Sequence, residues 1–163
     1  MSLNDYFEVP GDIHSCELLT DVVRQQLYQL WNTEYPVQLV YESITDFHCY
    51  LNGLQEPQHY LLYAADGNIA GWAFTFLRDG ARWFGIIVAG KWQGRCIGKR
   101  LIMCLKNDNT ELYGWVTDHD RYLKQDGTPY RSPVAFYEKL GFKVCKERLN
   151  IPHLSAVKIV WTP

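Results

Sequence analysis

Val88-Ala89-Gly90-Lys91-Trp92-Gln93-Gly94-Arg95-Cys96-Ile97-Gly98-Lys99-Arg100 is the stretch on which the reading of this chain turns. Before it, Arg82 to Val88 has the character of a strand; after it, Ile97 to Asn107 is apolar at helical spacing. A strand that runs through a basic, Gly-bearing turn into a helix gathers unpaired backbone N–H groups and the positive end of the helix dipole at one point. Such a point suits a phosphate or diphosphate. Lys91, Arg95, Lys99 and Arg100 fall inside ten residues, a local charge that fits one polyphosphate ligand, with a plain solvated face as the alternative. A nucleoside-triphosphate loop would need Gly where Gln93 stands and Ser or Thr where Arg100 stands. A dinucleotide fingerprint would need three glycines at offsets that Gly94 and Gly98 do not supply. Both are excluded.

Working outward, His59 to Ala64, Ile69 to Leu77 and Arg82 to Val88 read as an antiparallel meander joined by Asp66-Gly67 and Asp79-Gly80. Trp72, Phe74 and Phe76 share one face of the middle strand, which marks that face as lying under a helix. Towards the N-terminus, helices are predicted from about Leu18 to Asn32 and from Ile44 to Leu54, the second capped by Ser43, with a short strand at Tyr6 to Val9. Towards the C-terminus, Glu111 to Thr117 reads as a strand parallel to Arg82–Val88 through a right-handed crossover. Ligands sit at the carboxyl ends of such strands, and there Asp118 to Arg131 forms a polar loop longer than the connection needs. Ser132-Pro133 opens a short helix that Gly141 ends, and Phe142 to Leu149 and Ala156 to Trp161 are two further strands.

The chain has 163 residues, 47% of them hydrophobic and 15% aromatic, which fits one domain with a substantial core. A formal charge of −2 carries no nucleic-acid footprint. Five scattered cysteines without a C-x-x-C pair point to a reducing compartment, and neither His48-Cys49 nor Asp118-His119-Asp120 has metal-site spacing, so no metal is expected. No apolar run reaches membrane length and no charged leader precedes an apolar core, so the expected location is the cytoplasm, away from membranes. Exposed aromatics leave monomer and homodimer both open.

Gln93, Arg95, Ile97 and Gly98, continued by Leu101 and Ile102, resemble motif A of the GCN5-related N-acetyltransferases (GNAT), and Ala135 to Phe142, containing Phe136-Tyr137 and Gly141-Phe142, resembles motif B. Cys96 departs from motif A, where the family has Gly. It is either a tolerated small residue or, as a thiol at a helix N-terminus beside Lys99 and Arg100, an acyl carrier. The family's frequent Asn a turn before motif B is absent, with Tyr130 to Pro133 in its place.

The resemblance implies a mixed α/β fold in a single domain spanning the chain. Its sheet would have six or seven mostly antiparallel strands with a parallel pair splayed at strands four and five, and about four helices would cover both faces. It further implies acetyl-CoA as co-substrate and acetyl transfer to an amine acceptor that the sequence leaves unidentified. Coenzyme contacts would come from Ile86, Ile87 and Val88 at the end of the fourth strand. The amide turn itself, Gln93, Gly94, Arg95, Cys96, Ile97, Gly98, Lys99 and Arg100, would add the rest, with Tyr137. Tyr137 would also protonate the leaving thiolate, because a phenol can donate to a thiolate within hydrogen-bond reach. The acceptor ammonium must first lose a proton, to a carboxylate or a water chain. Asp118 is the first carboxylate considered, Glu42 the second. The two opening helices would bring Glu34, Tyr35, Tyr41, Glu42 and Asp46 towards the acceptor. A second reading keeps the fold and coenzyme binding but not turnover, as a regulatory or interaction module.

Overall fold

A computed structural model describes residues 11–163. The proposed strand at Tyr6 to Val9 lies outside the described residues. Seven strands form one sheet: β1 (Ile13–Cys16), β2 (Gln55–Tyr63), β3 (Ile69–Arg78), β4 (Ala81–Val88), β5 (Leu112–Val116), β6 (Lys143–Ile151) and β7 (Leu154–Trp161), in the spatial order β1-β2-β3-β4-β5-β7-β6. All neighbours are antiparallel except β4 and β5. The helices are α1 (Asp21–Glu34), α2 (Ile44–Asn52), α3 (Ile97–Asp108) and α4 (Val134–Lys139), with short 3-10 turns at Val37–Leu39 and Gly90–Trp92. The fold is thus the mixed α/β architecture that the resemblance implied.

Local chemistry accounts for these elements. Thr20 and Ser43 cap α1 and α2, accepting from the N–H groups of Val23 and Asp46. Asp79 and Gly80 both have positive φ, 52° and 74°, giving the two-residue turn whose twist matches the strands that it joins. Gly141 takes φ 88° and ends α4, with Gly141 N–H donating to Glu138 O and Phe142 N–H to Tyr137 O. α4 starts one residue later than predicted. Ser132 Oγ donates to Thr117 O (2.6 Å), so the serine ties the start of α4 to the residue after β5 besides accepting weakly from Val134 N–H (3.4 Å).

The core has two halves, one on each side of the sheet. Trp72, Phe74 and Phe76 point to the α1/α2 side and pack with Leu27, Trp31, Phe47 and Leu51, as their alternation required. On the other side Ile97, Leu101, Ile102 and Leu105 of α3 meet Ala73, Phe84 and Leu112, with Tyr137 and Phe142 alongside. Each large buried apolar side chain contributes about 1.5–3 kcal/mol. Sequence reasoning missed β1, which pairs four residues with His59–Leu62, because Ile13-His14-Ser15-Cys16 has too little apolar alternation to stand out.

The short ladder between β4 and β5 opens the sheet. It has a single matched pair, Trp83 with Tyr113, and beyond it the two strands diverge towards their carboxyl ends. Ala89 N–H donates to Ala70 O on the β3 side, so by alternation the amides and carbonyls of Ile86 and Val88 face the gap. A sheet opened in this way leaves strand backbone exposed for something else to pair with.

Candidate active site

The gap between β4 and β5 continues into a cleft of about 550 Å³. One wall is β4 and the turn after it, contributing Ile86, Ile87, Val88, Gln93, Gly94, Cys96, Ile97, Gly98 and Lys99. Facing it are Tyr130, Arg131, Ser132 and Pro133 of the long loop, with Phe136 and Tyr137 of α4; Glu34 and Tyr35 close one end.

The turn is built to receive an anion. Gly94 (φ 75°) and Cys96 (φ 62°) both take the left-handed conformation, which bends the chain back on itself before α3. The first amide of this segment with a protein partner is that of Arg100, donating to Cys96 O. Among the described residues the backbone N–H groups of Gly94, Arg95, Cys96, Ile97, Gly98 and Lys99 have no hydrogen-bond acceptor, and Cys96 offers α3 no side-chain cap. Six unpaired amides at a helix N-terminus, with Lys99 among them, are an arrangement that suits an anion such as a diphosphate. Gly98 is also where α4 comes close: a Cβ there would lie 3.0 Å from the Phe136 ring.

Of the coenzyme contacts inferred from sequence, all but two line the cleft. Arg95 instead lies over the Trp92 ring at 4.9 Å, and Arg100 donates to Gly11 O at 2.7 Å. Both were placed in the cradle by sequence position alone. The helix turns Arg100 away from Lys99 onto another face, and buried Trp92 draws Arg95 aside.

Tyr137 is where its motif places it, 5% exposed, its ring edge-on to Phe84 (5.6 Å), Phe142 (5.3 Å) and Phe136 (5.1 Å). Its hydroxyl has no hydrogen-bond partner among the described residues, and burial, with a smaller contribution from Tyr130, lifts its pKa well above the ordinary phenol value. The group is therefore a proton donor at any pH near neutral. Tyr35 and Tyr130 bring two more phenols to the same cleft, their rings 6.4 Å apart, with burial raising Tyr130 to about 12.

The two carboxylates considered as bases are placed elsewhere. Asp118 follows β5, but its side chain turns to Arg148 of β6 in a two-pronged ion pair (2.8 and 3.0 Å) outside the cleft. That hydrogen bonding holds its carboxyl below the usual range and makes it a weaker base. Glu42 is exposed and also outside the cleft. The expectation that either stands beside the acceptor is corrected: Arg148 of β6, thirty positions along the chain, claims Asp118, a pairing that the strand pattern of the C-terminal hairpin does not announce. The carboxylate that does reach the cleft is Glu34, 9% exposed at the end of α1. Sequence placed Glu34 near the acceptor among several others, and nothing local distinguished it.

Arg131, Ser132 and Pro133 were passed over as contacts because they stand where the family's Asn was sought; Phe136 belongs to the motif itself. Among the described residues, no group of three or more His, Cys, Asp or Glu is arranged to hold a metal ion, and no helix is long and apolar enough to cross a membrane.

A parallel pair that splays beside a turn of free amides, with a motif tyrosine across the gap, defines the GNAT acetyltransferase class. The chain belongs to that family: residues 56–144, more than half of it, match the profile of the acetyltransferase (GNAT) domain. No curated protein matches the chain. Among solved structures, an aminoglycoside 6′-N-acetyltransferase complexed with coenzyme A superposes with a TM-score of 0.70 at 17% identity, over 93% of this chain and 97% of that one. A phosphinothricin acetyltransferase from Sinorhizobium meliloti in complex with AcCoA gives 0.67 at 11% identity, over 92% and 88%. The ribosomal-protein-S18-alanine N-acetyltransferase from Escherichia coli gives 0.64 at 17% identity, over 93% and 94%. At such identities the likeness is one of fold.

Proposed function

We propose that this protein transfers an acetyl group from acetyl-CoA to a primary amine, by direct attack of the amine while both substrates are bound. The observation that carries this reading is that Gly94 and Cys96 to Lys99, whose amides are unpaired among the described residues, and Tyr137, whose hydroxyl is likewise unpaired, line one cleft. The diphosphate of the coenzyme takes the amides, aided by Lys99 on the same wall and Arg131 on the opposite one. Its pantetheine arm pairs as an extra strand with the backbone of Ile86 and Val88, replacing the ladder that β5 abandons.

The amine nitrogen attacks the thioester carbonyl carbon, and the oxygen gathers charge that a β4 amide stabilises. The tetrahedral intermediate collapses as the C–S bond breaks, the sulfur taking a proton from Tyr137 and leaving as free coenzyme A beside the amide product. A raised phenol pKa does not exclude this, because burial raises the leaving thiol in the same direction, and the gap between the two decides the transfer. The amine's own proton leaves through water at the open mouth of the cleft, since Asp118 is committed to Arg148 and Glu34 already accepts three hydrogen bonds.

Solved relatives of this fold carry names for an aminoglycoside, phosphinothricin and a ribosomal-protein alanine, so the fold admits chemically different amines. All five cysteines are unpaired, in keeping with a reducing compartment, and we place the protein in the cytoplasm. The test has two parts. Titration with coenzyme A should release heat with one site per chain. Incubation with acetyl-CoA and a panel of amines, followed by a thiol reagent, should show amine-dependent release of free coenzyme A. Binding without thiol release across the whole panel would favour a non-catalytic coenzyme-binding module instead.

A further inference from the structure

Glu34 is the last residue of α1, where the partial charge of the helix is negative and a carboxylate is disfavoured, and it is almost buried. Three donors from two separate segments offset that penalty. Gly90 N–H donates to Oε1 at 3.1 Å, Gln93 Nε2 donates to Oε2 at 3.1 Å, and Lys124 Nζ donates to the same Oε2 at 3.3 Å. Gly90 and Gln93 belong to the diphosphate turn, and Gln93 Nε2 also donates to Val88 O at 3.0 Å, at the end of β4. Lys124 belongs to the long loop after β5. That loop is ordered by its own turn, Asp126 accepting from Thr128 N–H and Gly127 N–H donating to Lys124 O, and it reaches the 3-10 turn through Val37 N–H donating to Leu123 O. It also carries Tyr130, which faces Tyr35 across the end of the cleft.

We infer that Glu34 is a positioning residue that fastens the coenzyme turn to the acceptor-side loop, with Lys124 as the partner that closes the fastening. The inference rests on the acetyltransferase reading for its purpose but on the three hydrogen bonds for its geometry. A coenzyme that seats its diphosphate on the turn fixes Gln93, which fixes Glu34, which holds the loop through Lys124. Coenzyme binding thereby completes the wall formed by Tyr35 and Tyr130 before the amine arrives.

The test is limited proteolysis with trypsin of the full chain. Cleavage after Arg121, in the loop and outside the cleft, reports the loop; cleavage after Lys106, in α3 beside the fully buried Leu105, reports global unfolding. Glu34→Gln keeps the size and an acceptor for Gly90 while removing the charge, and Lys124→Met removes only the loop's arm. Each is expected to speed cleavage after Arg121 at least fivefold relative to Lys106. The double variant should be no faster than the faster single one, because the two act as a unit. Lys124→Arg should restore the slow rate. Saturating coenzyme A should slow Arg121 cleavage in the native protein but not in Glu34→Gln, even where calorimetry shows that the variant binds coenzyme A. Unchanged Arg121 cleavage in the single variants, or effects that multiply in the double one, would overturn the inference. Failure of the native protein to bind coenzyme A would instead sink the acetyltransferase reading, and the basal cleavage rates would still decide the fastening.

Discussion

Tyr137 shows how one side chain acquires a role from its surroundings. Three aromatic rings fix its orientation, and its hydroxyl has no hydrogen-bond partner among the described residues. Tyr137→Phe keeps the packing and removes the donor, so kcat should fall by about 10²-fold or more while the Kd for coenzyme A moves less than threefold, as read by thiol release and calorimetry. Because burial raises its pKa, Tyr137 stays protonated beyond the ordinary phenol range, and kcat of the native protein should show no alkaline loss up to about pH 10. The same motif position was legible in the sequence because Phe136-Tyr137 and Gly141-Phe142 are adjacent in the chain. Asp118 was misplaced for the opposite reason, since its partner Arg148 stands thirty residues away.

At the scale of elements, the turn into α3 is the segment whose unpaired backbone amides carry the proposed coenzyme binding. Cys96 holds a left-handed conformation that costs a side-chain-bearing residue about 1 kcal/mol or more relative to glycine. Cys96→Gly should therefore raise the melting temperature by about 2–4 °C. It should also leave coenzyme affinity and turnover in place, because the amides and not the thiol make the cradle. Loss of turnover in Cys96→Gly, together with a mass shift of the native protein on acetyl-CoA alone, would instead establish the cysteine as an acyl carrier. The strand-turn-helix order around Gln93 to Gly98 was readable from periodicity and short-range turn chemistry. The divergence of β4 from β5 was not, since it depends on how far two strands stay paired across the sheet.

Across the whole molecule, the α1/α2 half of the core contains a titratable group whose burial sets an acid limit. His59, 3% exposed, accepts a hydrogen bond from the Trp72 indole N–H at Nδ1 (3.2 Å), and burial, with Arg24 adding a little, lowers its pKa to about 4. Its ordinary value is near 6.5, so on acidification the unfolded chain takes up the proton first. The stability contributed by neutral His59 is complete above about pH 6.5 and is lost as pH falls towards about 4, a loss of up to about 3 kcal/mol. Thermal melts between pH 7 and 4.5 should show that decline, and His59→Gln, which keeps an acceptor for the indole, should flatten it. An unchanged slope in the variant would exclude His59 as its cause.

The sequence alone determined the order of the helices and of the strands after β1, the two hairpin turns, the strand-turn-helix run into α3 and the place of the motif tyrosine, because each rests on residues within a few positions of one another. Only the tertiary structure decided which charged groups face the cleft. Arg100 and Asp118 are drawn to partners 89 and 30 positions away, and Glu34 is held by donors 56 to 90 positions away in the chain. Backbone conformation answers to neighbours in sequence, whereas the pairing of a charge answers to whatever the closed fold brings within a few ångströms.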